Sequence, residues 1–352
     1  MTKKTILITA GGTGGHIFPA LSIAKQLQQQ YNVLWVGAHI GIENEIIPKH
    51  NIPLLKVTIS GLRKKGLIKI LLLPWILARA FYQCLKIILC ERPDIVVGFG
   101  GYVTGPLCAT AWLLKIPMLI HEQNSVPGLT NKVLARLATK VMTGFPAVLV
   151  SKKTVYVGNP VREDILKLEA PDIRYLRRSG GLNLLIVGGS LGAQVLNELM
   201  PQVCAKLVNV NHVIHQVGRG DLAQVKQRYQ DLSITQVEVV PFIEDMAQAY
   251  ANSDLIICRS GASTVSEVAS VGIAAIFVPY PHAVDDHQWY NAQMLSMGAH
   301  IIRQAEFNVE KLAGLINSMD RSTCLTMAKN GQQLAIKDSV ERIVSLIKKS
   351  IS

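Results

Sequence analysis

The sequence predicts an α/β protein built from two doubly wound parallel-sheet units, and three observations carry that expectation. Short, continuous apolar runs alternate with longer helical patterns along all 352 residues. Runs that are apolar throughout suit strands of a parallel sheet covered by helices on both faces. The length suits two domains of roughly 100–200 residues each. The pattern also repeats. Residues 5–27 run strand, Gly11-Gly12-Thr13-Gly14-Gly15, helix; residues 184–204 run strand, Gly188-Gly189-Ser190-Leu191-Gly192, helix.

Taken in order, strands are expected at Thr5–Thr9, Val33–Val36, Ile95–Val97 and Met118–Ile120, then at Leu184–Val187, His212–Gln216, Val237–Val240, Leu255–Cys258 and Ala275–Val278. The first glycine turn leads into a helical stretch at Ala20–Leu27, the second into a helix through Cys204. Between the halves, Ser151–Arg162 (SKKTVYVGNPVR) mixes polar residues with Gly and Pro and is the linker candidate. Domains are therefore expected at 1–160 and 161–337. A final helix over 338–352 carries Val340, Ile343, Val344 and Ile347 at helical spacing, a face it must bury, with the first domain as the expected partner.

Hydrophobic residues make up 49% and charged residues 17%, enough apolar material for large cores and too little charge for disorder. Lys plus Arg is 36 against 24 for Asp plus Glu, a net +12 that suggests an anionic partner. Part of the excess is local. No Asp or Glu occurs from Ile46 to Cys90, a stretch with eight Lys or Arg residues. Within it, Leu67–Leu89 is long enough to span a bilayer, yet Lys69, Pro74, Arg79 and Lys86 interrupt it. A segment lying on an anionic membrane surface is the better expectation, with Lys64, Lys65, Lys69, Leu72, Trp75, Arg79 and Phe81 as its contact patch. The plain alternative is a core helix with a solvated basic end. The N-terminal MTKKTILITAGG has too short an apolar run for a signal peptide, so a cytoplasmic location is expected. Six cysteines without a C-x-x-C pair read as reduced, mostly buried thiols rather than disulfides or a zinc cage.

Glycine turns at helix N-termini expose backbone N–H groups and the positive end of the helix dipole, which attracts phosphate. Neither turn fits a dinucleotide fingerprint: Ile17 stands where the third Gly is needed, and Val36-Gly37-Ala38-His39 lacks the ribose-binding acid. No G-x-x-x-x-G-K-[ST] occurs, which disfavours a P-loop NTPase. A third turn, Gly98–Pro106, follows the strand at Ile95–Val97, and His121-Glu122-Gln123-Asn124 follows the next strand. In open α/β sheets ligands bind beyond the carboxyl ends of strands, where all these residues fall. In the second half, Arg259-Ser260-Gly261-Ala262-Ser263-Thr264-Val265-Ser266-Glu267 follows a strand; Ser260 or Ser263 could cap the helix and Glu267 could accept from ribose hydroxyls. The bland alternative is a capping box, since Thr264 and Glu267 have that spacing. Pro279–Asn291 gathers His282, Asp285, Asp286, His287, Gln288 and Asn291, a polarity suited to sugar hydroxyls; no ligand spacing there favours a metal strongly. No D-x-D occurs, so a nucleotide-sugar enzyme here would meet its pyrophosphate with helix ends and a basic side chain such as Arg162 or Arg259.

Six ordered motifs, Gly11–His16, Gly100–Pro106, His121–Asn124, Gly158–Arg162, Gly188–Ala193 and Arg259–Gly261 with Thr264–Glu267, resemble the MurG family of glycosyltransferase family 28 over essentially the whole chain. The resemblance implies the GT-B fold, two Rossmann-like domains with a cleft between them. It implies inverting transfer of N-acetylglucosamine from UDP-N-acetylglucosamine to the muramyl C4 hydroxyl of undecaprenyl-pyrophosphoryl-MurNAc-pentapeptide (lipid I). The product is lipid II for peptidoglycan synthesis, made at the cytoplasmic face of the bacterial inner membrane. It places the donor on the second domain: Ser190 and the helix start at Ala262, Ser263 and Thr264 at the pyrophosphate, Val265 and Ser266 also in the substrate-binding set, Glu267 at the ribose, the Ile243 backbone at the uracil, Arg162 holding the donor, and Gln288 and Asn291 at the sugar. Thr13, Gly14, Gly15 and Asn124 lie on the acceptor side. The chain departs at one point: His287 and Gln288 stand where a pair of glutamines can precede the Asn. No cofactor is expected and no metal site, though divalent-ion assistance stays open. UDP-N-acetylglucosamine, lipid I, anionic inner-membrane lipids and other cell-wall synthesis and division proteins are the implied partners.

The acceptor hydroxyl must lose a proton as it attacks. His16, whose imidazole type titrates near neutrality, is the expected base, with Glu122 competing and with loop ordering or acceptor binding as the plainer role for His16. Two other classes compete. A UDP-GlcNAc 2-epimerase would share the architecture without needing an apolar basic patch. A nucleic-acid-binding protein would interleave basic and aromatic residues, whereas the acid-free stretch is rich in Leu and Ile.

Overall fold

The computed structural model describes residues 3–59, 72–189, 192–220 and 222–351. The chain divides into two units, Met1–Pro160 with Asp338–Ser352 and Val161–Lys337.

The first unit has seven parallel strands among the described residues: β1 (Thr5–Thr9), β2 (Asn32–Ala38), β3 (Leu54–Val57), β4 (Ile95–Gly98), β5 (Met118–Glu122), β6 (Lys140–Thr143) and β7 (Thr154–Tyr156), in the order β3-β2-β1-β4-β5-β6-β7. Its longer helices are α1 (Gly14–Leu27), α2 (Leu73–Glu91), α3 (Thr104–Leu113) and α4 (Leu129–Leu137). Alternation along the strands sends side chains to two cores. Ile6 and Ile8 pack with Ile17, Ala20 and Leu27 of α1, while Leu7 packs with Ala80, Cys84 and Ile88 of α2 and Leu107 of α3. The C-terminal helix Ser339–Ile351 buries Ile343, Val344 and Ile347 in the α1 core, each contributing about 1.5–3 kcal/mol. β7 falls inside the expected linker Ser151–Arg162, so the first crossing between the units is the turn from Val157 onward; the chain crosses back at Lys337–Asp338.

The second unit has six parallel strands among the described residues: β8 (Leu182–Val187), β9 (Val210–Gln216), β10 (Val237–Val240), β11 (Leu255–Cys258), β12 (Ala274–Phe277) and β13 (Ala299–Ile301), ordered β10-β9-β8-β11-β12-β13. Its longer helices are α5 (Gln194–Cys204), α6 (Leu222–Asp231), α7 (Met246–Asn252), α8 (Ala262–Val271), α9 (His287–Gln293), α10 (Val309–Asn317) and α11 (Arg321–Gln332). Strand order reverses between β1 and β4 in one unit and between β8 and β11 in the other. A ligand binds at such a reversal, beyond the strand ends. The residues after β1 and β4, and after β8 and β11, are the glycine-rich motifs of the sequence.

Candidate functional site

In the first unit the turn after β1 is built by backbone packing. Gly11 N–H donates to the Gly100 carbonyl at 3.3 Å, and a Cβ on Gly101, at φ +97°, would lie 2.4 Å from the Gly11 carbonyl oxygen. Only glycine lets the two turns approach so closely. Thr13 is the extended N-cap of the 14-residue helix α1, and its side chain makes no cap hydrogen bond to the first amides. Thr13 and Gly15 are exposed, Gly14 and His16 half-buried. His16 Nδ1 lies 2.9 Å from Gln123 Oε1, and Gln123 Nε2 donates to the Phe99 carbonyl at 2.9 Å.

The run His121–Asn124 divides its work. His121 is fully buried, its Nε2 lies 3.0 Å from the Gly158 carbonyl, and burial pushes its pKa down to about 4, so it stays neutral. Glu122 Oε1 accepts from Asn124 N at 3.0 Å and Asn124 Nδ2 at 3.3 Å; Oε2 accepts from Gly128 N at 3.0 Å and Asn131 Nδ2 at 2.9 Å. Four donors on a buried carboxylate give Glu122 a structural task, the folding of the loop into α4, against its reading as a base. Asn124 is part of the same knot.

In the second unit, Ser190, with Leu191, lies outside the described residues. Gly189, just before them, is held by Gln216 at the end of β9, which accepts from Gly189 N at 2.9 Å and donates to the Gly189 carbonyl at 3.0 Å and the Pro241 carbonyl at 2.9 Å. Gln216 thereby ties this turn to the segment that carries half-buried Ile243. Its place at the carboxyl end of a strand was its only signal in the sequence.

α8 starts after Gly261, an extended N-cap with no side chain to offer. The capping-box reading fails here, because Thr264 lies inside the helix. Neither Ser260 nor Ser263 caps it. Ser260 Oγ donates to the Gln288 carbonyl at 2.8 Å, and Ser263 Oγ is buried without a hydrogen-bond partner among the described residues. Ala262 and Val265 are buried, and Ser263, Thr264 and Ser266 are half-buried. Glu267 Oε1 lies 3.5 Å from Arg162 Nε, and Glu267 Oε2 accepts from the Tyr250 hydroxyl at 3.2 Å. Burial raises the Glu267 carboxyl above its ordinary value, and the Arg162 guanidinium partly offsets that. Arg162 stays substantially exposed, as a donor-holding residue must. Arg259 does not: it donates to the Val278 and Pro279 carbonyls at 3.0 and 3.2 Å and to Gln304 Oε1 at 2.8 Å. Its guanidinium ties these loops together.

The polar segment Pro279–Asn291 is more structural than expected. Asn291 is fully buried and donates to the Ser260 carbonyl at 3.2 Å, so its side chain shapes the loop from within. Gln288 is half-buried and its Oε1 accepts from Tyr280 N at 2.9 Å. His287 Nδ1 is 2.8 Å from the Val284 carbonyl, turned into its own loop. Asp285 and Asp286 both hold φ +52°, and Asp286 pairs at 3.1 Å with Arg303, whose guanidinium lies 3.9 Å over the Trp289 ring. Among the described residues no three His, Cys, Asp or Glu side chains converge to hold a metal ion.

Lys64, Lys65 and Lys69 lie outside the described residues. α2 is long and apolar enough to cross a membrane by composition, but Ala80, Cys84 and Ile88 are built into the core. Its outer face exposes Trp75 (74%), Tyr82 (62%) and Leu89 (58%) with Arg79 and Lys86 between them; Leu72 and Phe81 are also exposed. At the end of the neighbouring α3, Trp112 and Leu113 are exposed as well. The sequence reading missed Tyr82, Leu89, Trp112 and Leu113, whose exposure depends on which helical face meets the sheet.

Two family models match the chain: the glycosyltransferase family 28 N-terminal domain over residues 6–143 and the glycosyltransferase family 28 C-terminal domain over residues 183–343. A curated relative from Burkholderia thailandensis, named UDP-N-acetylglucosamine–N-acetylmuramyl-(pentapeptide) pyrophosphoryl-undecaprenol N-acetylglucosamine transferase, is 45% identical over 97% of this chain and 95% of its own length. Its namesake from Burkholderia pseudomallei is 44% identical over the same shares. The crystal structure of Acinetobacter baumannii MurG superposes with a TM-score of 0.86 at 40% identity, covering 98% of this chain and 99% of that one.

Proposed function

The chain belongs to glycosyltransferase family 28, has the GT-B fold, and from that premise we propose that it transfers N-acetylglucosamine from UDP-N-acetylglucosamine to the C4 hydroxyl of the muramyl sugar of lipid I, with inversion, giving lipid II. The observation that carries this reading is the 45% identity, over 97% of the chain, to a relative of that name.

The site chemistry supports it step by step. The open N-terminus of α8 meets the donor pyrophosphate, so the departing UDP is stabilised by backbone amides and the helix dipole with Arg162 beside them. Glu267, held by Tyr250, accepts from the ribose hydroxyls, and the Ile243 backbone meets the uracil. Gln288 faces the sugar. Thr13, Gly14 and Gly15 offer the amides of α1 to the acceptor pyrophosphate. His16 takes the proton of the attacking hydroxyl, which raises the nucleophilicity of that oxygen as the C–O bond to UDP breaks. The outer face of α2, with Trp75, Tyr82 and Leu89 among Arg79 and Lys86, rests on an anionic membrane surface, at the cytoplasmic face where a lipid-linked acceptor would be met.

The test is UDP release from UDP-N-acetylglucosamine with and without a soluble lipid I analogue. Release that depends on the acceptor, with a disaccharide product, is the expected result. Acceptor-independent UDP release with a 2-epimerised sugar would replace transfer by epimerisation.

A further inference from the structure

We infer that Gln123 is a positioning residue that fixes the proton of His16 on Nδ1, and so leaves Nε2 as the atom that accepts the proton of the attacking hydroxyl. This deepens the reading of His16 as the base and rests on it.

A glutamine amide has one end that only accepts and one that only donates. The Phe99 carbonyl can only accept, so the end facing it at 2.9 Å must be Nε2. Oε1 then faces His16 Nδ1 at 2.9 Å and carries no hydrogen, so the hydrogen between them belongs to Nδ1. A neutral imidazole carries one N–H, and its lone pair is therefore on Nε2. Turning the amide over would set Oε1 against the Phe99 oxygen. At 1% exposure, Gln123 has no water to make good that loss.

The main chain of Gln123 is pinned too. Its carbonyl accepts from Asn159 Nδ2 at 3.1 Å, and the Asn159 carbonyl accepts from the Ser339 hydroxyl at 2.8 Å. On another side the imidazole lies against Gly100, where a Cβ would fall 2.9 Å from Nδ1. Of the titratable groups on the elements around it, His121 of β5 is buried with its pKa near 4 and stays neutral. Glu122 is committed to Asn124, Gly128 and Asn131, the buried Glu43 carboxylate packs against Gly11 and accepts from Ala38 N at 3.0 Å, and Lys25 lies at the far end of α1. Gln123 is then the group that decides which nitrogen holds the proton.

The experiment is histidine-selective 15N NMR on the full-length protein near pH 8, paired with kinetics on a soluble acceptor. Wild-type His16 should read as the Nδ1–H tautomer; an Nε2–H signal would overturn the assignment. Gln123→Met, which cannot accept from Nδ1, should shift the tautomer and lower kcat roughly 10- to 100-fold at unchanged KM for the donor. An unchanged tautomer would count against the role. Gln123→Glu keeps an acceptor on Nδ1 but adds a negative charge that favours the imidazolium. The acid limb of its kcat/KM profile should move to higher pH, a shift that a merely structural residue would not cause; a limb that stays in place overturns the proposal. Full kcat in His16→Ala would instead remove the base reading, and it is told apart because wild-type His16 would still show the Nδ1–H tautomer.

Discussion

The two units repeat one device and load it differently. In each, a glycine turn follows the first strand at the reversal of strand order, and a helix N-terminus without a side-chain cap stands nearby. Around His16 the hydrogen-bonding supports are neutral, with Gln123 bridging His16 and Phe99 and with His121 held uncharged, while the buried Glu43 carboxylate packs against Gly11 of the same turn. Around α8 the supports include charges: Glu267 and Arg162 form one cluster with the neutral Tyr250 hydroxyl. The difference teaches that a phosphate-binding scaffold does not by itself decide chemistry. On the proposed function, an oriented imidazole serves proton transfer in one unit, whereas a buried carboxylate beside a guanidinium serves ribose recognition in the other.

That contrast can be broken at either end. The largest effect is expected from His16→Ala, with kcat lowered roughly 10²- to 10⁴-fold, measured by coupled UDP release with a soluble acceptor. Next, Glu267→Gln should raise the KM for UDP-N-acetylglucosamine roughly 10- to 100-fold, the loss of a charged hydrogen bond, with a much smaller change in kcat. Because burial holds the Glu267 carboxyl above its ordinary pKa, wild-type donor KM should rise on acidification sooner than for an exposed glutamate, and Glu267→Gln should abolish that rise. Trp75→Ser should weaken flotation with anionic vesicles about tenfold and leave turnover of a soluble acceptor intact. The smallest effect concerns stability. His121 has a folded pKa of about 4 against an ordinary 6.5, so below 6.5 the unfolded chain takes up a proton that the folded chain refuses. Stability to urea should fall between pH 6.5 and 4, and less so in His121→Asn.

Much of this was legible in the sequence. Fully buried strands such as Ile6–Ile8 and Leu255–Cys258 announce themselves because a parallel sheet needs apolar side chains on both faces. β3, β6, β7 and β13 did not: each is a run of three or four residues that includes polar ones, Lys56 in β3, Lys140 and Thr143 in β6, Thr154 in β7 and His300 in β13. The glycine turns, Glu267 and His16 were readable from residue type and position after a strand. What could not be read was how polar side chains share their hydrogen bonds. Glu122, Arg259 and Asn291 look like ligand-binding residues in sequence, yet each spends its hydrogen bonds on loop backbone or on neighbouring side chains. Gln123, Gln216 and Tyr250 look incidental, yet they hold His16, Gly189 and Glu267.

Donor binding, measured without turnover, tests the division of labour most directly. Calorimetric titration of UDP-N-acetylglucosamine into the full-length protein should give the wild-type Kd for His16→Ala and a roughly 10- to 100-fold weaker Kd for Glu267→Gln. Loss of donor binding in His16→Ala, or wild-type affinity in Glu267→Gln, would contradict the assignment of acid–base chemistry to one unit and nucleotide recognition to the other.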